Sequence, residues 1–179
     1  MIVSEPTSPL ERERQRLLSG AYGRPDGIGT VRFIVRTTTD RPADIVARTR
    51  EVLLIVNEAS RVVWPSAEKW RKLLPSWFVA SCAPERSKQE ADAWLAQWEA
   101  MSWEEKQRVE RDKRWSLQNW LYCFQPEERT WYWWDAANID DGSAIVAVEV
   151  ESWPFPWGEL SWLLRAAGAE TVDPERDDT

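Results

Sequence analysis

Five carboxylates lie within residues 130–151, and their type and spacing are the features of this sequence best suited to catalysis. They are Asp135, Asp140, Asp141, Glu149 and Glu151. On an extended strand Glu149 and Glu151 share a face, with their Cα atoms roughly 7 Å apart. Glycosidases use two carboxyl groups about 5–9 Å apart, so this pair is compatible with sugar hydrolysis. The same oxygens can instead ligate Ca²⁺ or Mg²⁺, or belong to an ordinary polar turn and a solvent-facing strand.

Other catalytic chemistry has little support in the sequence. The chain contains no histidine, which removes His-dependent triads and the commonest metal ligand. Cys82 and Cys123 lie far apart in apolar stretches, a pattern typical of buried free thiols. The Ser-x-x-Lys sequence Ser66–Lys69 is better explained by Ser66 capping a helix. The sequence therefore favours a non-catalytic protein, with no cofactor and no metal ion.

Tryptophan is the most unusual part of the composition, with 14 in 179 residues. Burying one Trp removes about 150–250 Å² from water, so most are expected in the core. In the strand predicted from residue 130, however, Trp131 and Trp133 face one way while Tyr132 and Trp134 face the other. Either the protein's own helices cover both faces of this sheet, or one face is an interaction surface.

The candidate binding residues combine the aromatic and acidic side chains of this region. They are Trp131, Trp133, Asp135, Glu149, Glu151, Trp153 and Trp157. The net charge of the chain is −7, and residues 126–179 carry three basic against thirteen acidic side chains. Such a field repels phosphate backbones, so direct nucleic-acid binding is not expected. Aromatic anchors among carboxylates suit a basic protein surface or a cationic ligand.

The sequence thus predicts an acidic, Trp-rich protein–protein interaction module of regulatory or immunity/accessory type, with a partner that presents a basic surface. The alternative is a domain with a Trp-lined pocket that binds a small molecule, a sugar or a cationic ligand, or acts as a carboxylate-based enzyme. A third hypothesis is that the acidic end imitates a nucleic acid. No stretch of about 18 apolar residues and no signal sequence is present, so a soluble, cytoplasmic protein without a membrane partner is predicted.

The elements that position these residues are predicted to form a helix-rich α+β fold. Strands near 30–38, 130–137 and 143–151 build a small, mainly antiparallel sheet, with a further short strand at 61–64. Helices within 41–124 and 157–167 cover it. The predicted organisation is a flexible N-terminus at 1–8, a single domain at 9–172, and a disordered tail at 173–179.

Local capping signals predict where several helices begin and end. Ser8 precedes Pro9 and Glu11, which predicts a helix that ends before Gly20. Asp40 is expected to cap the helix that starts near Pro42. Capping boxes at Ser87–Glu90 and Ser102–Glu105 open two more helices. The first of these has an apolar face with helical spacing, made of Ala91, Trp94, Leu95 and Trp98.

Overall fold

The computed structural model describes residues 8–20 and 22–176. It is an α+β fold with helices and an antiparallel sheet, as predicted from the sequence. In chain order the elements are α1 (Pro9–Ser19), β1 (Thr30–Arg36), α2 (Pro42–Ser60), α3 (Ala67–Leu73), α4 (Ser76–Ser81), α5 (Lys88–Ala100), α6 (Trp103–Asp112), α7 (Leu117–Tyr122), β2 (Trp131–Asp140), β3 (Ser143–Val150), α8 (Gly158–Ala166) and β4 (Thr171–Pro174).

The sheet has the strand order β2-β3-β1-β4, and each neighbouring pair is antiparallel. The β2–β3 hairpin turns at Asp141 and Gly142, inside the polar run that predicted it. α1 covers the outer edge of β2, where the Glu13 carboxylate accepts the backbone N–H of Trp133. Further along, the Gly23 N–H donates to the Ala136 carbonyl at 2.7 Å. These contacts occupy an edge that would otherwise be open to pairing with another chain.

A bulge in β2 changes the side of the sheet on which its side chains lie. Trp133 pairs with Val148, but the next paired residue is Asp135, opposite Ala147. Because strand side chains alternate with a period of two, the extra residue moves Asp135 to the face opposite Trp131 and Trp133. The bulge therefore keeps a carboxylate out of the apolar face that carries the two tryptophans.

The core lies between the tryptophan face of the sheet and the helices α2 and α8. Phe33 of β1 and Val146 and Val148 of β3 join the same buried cluster as α2 and α8. The predicted inward positions of α2 are all buried, namely Ile45, Val46, Thr49, Val52, Leu53 and Val56. Their helical spacing matched the buried face because α2 packs along its whole length against the core.

A row of aromatic rings extends this core towards α4 and α7. Phe78 contacts Trp120 with ring centroids 4.6 Å apart, and Trp120 contacts Phe124 at 4.3 Å. Phe124 in turn meets Trp131 of β2 edge-to-face at 5.6 Å. The short helices are thereby joined to the sheet through side-chain packing, which explains why helices of six residues are stable here.

Three local predictions need correction. The N-cap of α2 is Arg41, which has no side-chain capping bond, and Asp40 instead contacts Arg48 at 3.4 Å. Residues 61–64 form a turn rather than a strand, since they pair with no strand among the described residues. The first two residues of the segment predicted to be a disordered tail, Asp173 and Pro174, instead belong to β4, which pairs with β1. The predicted flexible residues 1–7 and tail residues 177–179 lie outside the described residues.

The helix predicted from Ser8 is confirmed at both ends. The Ser8 hydroxyl accepts the Glu11 N–H, and Gly20 adopts the left-handed conformation (φ 63°) that ends the helix. Among the described residues, no helix combines the length and apolar character needed to cross a bilayer.

Candidate functional site

The seven residues predicted as a binding surface are not gathered into one surface. Trp131 and Trp133 are each only 1% exposed and belong to the core, so neither can anchor a partner on the protein surface. Trp157 packs on Phe33 with ring centroids 4.9 Å apart. Trp153 remains 58% exposed. The structure shows the Trp131 and Trp133 face covered by the protein's own helices, while Tyr132 and Trp134 on the other face are half-buried.

The predicted carboxylates Asp135, Glu149 and Glu151 have different partners and different degrees of burial. Asp135 is buried and accepts the backbone N–H of Arg24 at 2.8 Å. Glu149 is held by Arg12 through both carboxylate oxygens. Glu151 is exposed beyond the end of β3. Among the described residues, no group of three or more acidic or cysteine side chains is arranged to hold a metal ion.

Two exposed large apolar side chains lie instead on α5 and α6, residues 88–112, which we call the helical arm. None of the residues of these two helices, all of which the structure describes, is buried. Leu95 is 54% exposed and Trp103 is 71% exposed. The amphipathic pattern of α5 was expected to place its apolar face over the sheet. None of its residues is buried, and the sequence carries no signal for that difference.

The segments that precede and follow the helical arm contact each other. Just before it, the Ala83 N–H donates to the Trp115 carbonyl at 2.9 Å, in a parallel bridge between Ala83 and Ser116. The Arg114 guanidinium donates to the carbonyls of Ser81 and Cys82 at 2.9–3.1 Å. The two ends of the arm are therefore fixed to each other where it joins the rest of the protein.

Capping explains how the two helices of the arm form without burial. In α5 the Ser87 hydroxyl accepts the Glu90 N–H and the Glu90 carboxylate accepts the Ser87 N–H, both at 3.2 Å. Ser102 and Glu105 make the same reciprocal pair in α6. Helices of 13 and 10 residues are marginal in isolation, so these caps compensate for missing tertiary contacts.

The tryptophans of α5 are half-buried, and each has a cationic side chain over its ring. Trp94 and Trp98 lie with ring centroids 6.5 Å apart. The Arg86 guanidinium lies 4.6 Å from the Trp94 ring, and the Lys106 ammonium lies 5.7 Å from the Trp98 ring. Long cationic side chains shield aromatic surface in this way while keeping their charge in water. Leu95, beside these rings on the same helix, is the apolar side chain that is left exposed.

A cleft of about 600 Å³ lies along α1. Its lining comprises Arg12, Gln15, Arg16, Ser19, Ile28, Trp134 and Glu149. The Arg16 guanidinium stacks on the Trp134 ring, 3.6 Å from its centroid. Burial lowers the pKa of Arg16 and the neighbouring Glu149 carboxylate opposes that shift. Of the predicted binding residues, the cleft contains Glu149.

A smaller pocket of about 240 Å³ has the buried Glu159 in its wall. The Glu159 carboxylate accepts the Trp131 indole N–H at 2.7 Å. Burial raises the pKa of Glu159 despite this hydrogen bond. Burial also raises the pKa of the neighbouring Cys123 thiol to about 12, which keeps it protonated and unreactive near neutral pH.

Glu159 is expected to make stability depend on pH. Because the folded protein holds the Glu159 proton more tightly than the unfolded chain, this residue lowers stability as pH rises above its ordinary pKa of 4.5. Glu159→Gln removes that charge and retains a carbonyl to accept the Trp131 N–H. The stability of the variant relative to wild type should therefore increase as the pH rises above about 4.5, measured by urea unfolding. The exposed substitution Glu104→Gln serves as control, and parallel curves for Glu159→Gln and wild type would contradict the expectation.

Comparison with models of known protein families, with curated proteins and with solved structures finds no match to this chain.

Proposed function

We propose that this protein is a non-catalytic interaction module that binds a partner protein through the helical arm. The observation that carries the proposal is the exposure of Leu95 and Trp103 on two capped helices with no buried residue. Large aromatic residues are the commonest anchors of protein interfaces, and amphipathic helices dock by laying such a face into a groove. The unpaired thiols Cys82 and Cys123 favour a reducing compartment, so we place this interaction in the cytoplasm.

The charge of the helical arm defines the chemistry of the partner. Residues 88–112 contain four basic and seven acidic side chains, a net charge of −3. Acidic residues flank the apolar face on both helices, including Glu90, Asp92, Glu104 and Glu105. A complementary surface is an apolar groove edged with Lys and Arg, because opposite charges at the rim guide association and suppress wrong partners.

The same charge argues against a second copy of this chain as the occupant. Two helical arms packed face to face would bring like charges together at the rim of the interface, which is unfavourable. The chain as a whole carries −7, so a second copy is repelled at longer range as well. A partner of different sequence and opposite charge is therefore proposed.

The proposal is tested with the double substitution Leu95→Ser and Trp103→Ser. Both side chains are exposed, so the fold should be retained, which circular dichroism can verify. We expect wild type purified from its own host to form a stoichiometric complex in native mass spectrometry. With the isolated partner, the double variant should bind about 30-fold more weakly or worse, the effect of losing a hot spot of about 2 kcal/mol.

The matched control is Val63→Ser, which removes an exposed apolar side chain outside the helical arm. It should bind the partner as wild type does. The proposal would be contradicted if the double variant bound the partner as tightly as wild type does. It would also be contradicted if the complex seen in native mass spectrometry were a homodimer of this chain. Moderate weakening with salt is expected, whereas a steep loss between low and physiological salt would support imitation of a nucleic acid instead.

A further inference from the structure

The cleft along α1 has the volume of a small-ligand site. Its volume of about 600 Å³ falls within the range of about 300–1,000 Å³ typical of such sites. One wall is a single face of α1, where Arg12, Gln15, Arg16 and Ser19 follow at helical spacing. Ile28 also lines the cleft and is 97% exposed, so its apolar side chain is uncovered there.

Hydrogen-bond donors outnumber acceptors in this lining. Glu149 is the one carboxylate among the described residues of the cleft, and Arg12 engages both of its oxygens. Arg16 approaches Glu149 only to 3.8 Å. The Arg16 side chain is 23% exposed and donates no hydrogen bond to a described residue. An anion in the cleft can therefore accept hydrogen bonds from the exposed N–H groups of its guanidinium.

The Arg16 guanidinium is also held in one plane. It stacks on one face of Trp134, while residue 27 approaches the same indole closely enough to require glycine. A Cβ atom at Gly27 would lie 2.3 Å from the ring. Trp134 is thus fixed by the backbone of the loop, and Arg16 is fixed by Trp134. A planar guanidinium fixed in this way presents its donors to an oxyanion with little loss of side-chain entropy.

We propose that this cleft binds a small oxyanion, a carboxylate or phosphate group, attached to an apolar body. The oxyanion accepts hydrogen bonds from Arg16, and the apolar body covers Ile28. The cationic ligand predicted from sequence does not suit this cleft, because its lining has two guanidinium groups and a carboxylate that is already paired. The site is separate from the helical arm, so either proposal can fail without the other.

The test titrates the full chain with phenyl phosphate, phenylacetate, inorganic phosphate and choline by calorimetry, and follows the Trp134 indole N–H by NMR. At least one of the two aromatic oxyanions should bind with a Kd of about 1 mM or lower and shift the Trp134 signal. Choline should not bind. Arg16→Gln should weaken binding about 10-fold or more, because a charge-assisted hydrogen bond is lost.

Two further variants keep the test decisive if Arg16→Gln alters the fold. Ile28→Ser changes an exposed side chain and should weaken phenyl phosphate about 5-fold without affecting inorganic phosphate, since only the former has an apolar body. Arg14 lies on the same helix but pairs with the exposed Glu58. Arg14→Gln should therefore leave the affinities for phenyl phosphate and for inorganic phosphate unchanged. Absence of binding by both aromatic oxyanions, binding of choline alone, or equal affinity in Ile28→Ser would overturn the proposal.

Discussion

Replacing Glu13 with alanine is expected to lower the free energy of unfolding by about 3–5 kcal/mol. Glu13 is fully buried in α1 and forms a salt bridge with Arg129, whose side chain is also buried. Its carboxylate further accepts the Asn57 amide at 2.7 Å and the Trp133 backbone N–H at 2.8 Å. Removing Glu13 leaves a guanidinium in the core without its counter-ion. Urea unfolding followed by circular dichroism measures the effect.

The control on the same helix is Arg14→Ala, which breaks an ion pair with Glu58 near the surface and should cost at most about 1 kcal/mol. Replacing Glu13 and Arg129 together with Leu and Met should recover much of the loss, because no unpaired charge then remains in the core. If Glu13→Ala costs no more than Arg14→Ala, this buried pair does not hold α1 against β2.

Replacing Trp131 with alanine is also expected to lower the free energy of unfolding by about 3–5 kcal/mol. The ring fills core space between Phe124 and the sheet, and its indole N–H donates to the buried Glu159 carboxylate. The variant leaves both a cavity and an unsatisfied carboxylate. Thermal unfolding monitored by circular dichroism and urea titration should both report the loss.

Trp103→Ala is the matched control, since it removes the same side chain from the exposed surface of the helical arm. Its effect on the free energy of unfolding should stay within about 0.5 kcal/mol. A large loss of stability in Trp103→Ala would show that the helical arm is packed in solution, and it would remove the basis of the proposed function.

Features that depend on neighbouring residues in the chain were predictable. The start of α1 at Ser8, its end at Gly20 and the capping boxes of Ser87 and Ser102 all follow from hydrogen bonds within one helical turn. The β2–β3 hairpin was predictable for a similar reason, since alternation and a polar turn act within one short segment. β4 was not, because four residues including Pro174 form a strand only when β1 is available to pair with them.

The sequence determined which faces of the helices and strands are apolar, but the tertiary structure decided what covers each of them. Helical spacing marks the faces of α2 and α5 alike, yet α2 is buried and α5 is not, because only α2 lies against the sheet. The bulge at Trp134 likewise separates Asp135 from Trp131 and Trp133, which simple alternation places together. The cleft along α1 joins residues more than one hundred positions apart, such as Arg12 and Glu149. Which faces become buried, and which distant residues meet in one cleft, depends on long-range packing. The local spacing of residues along the chain does not specify that packing.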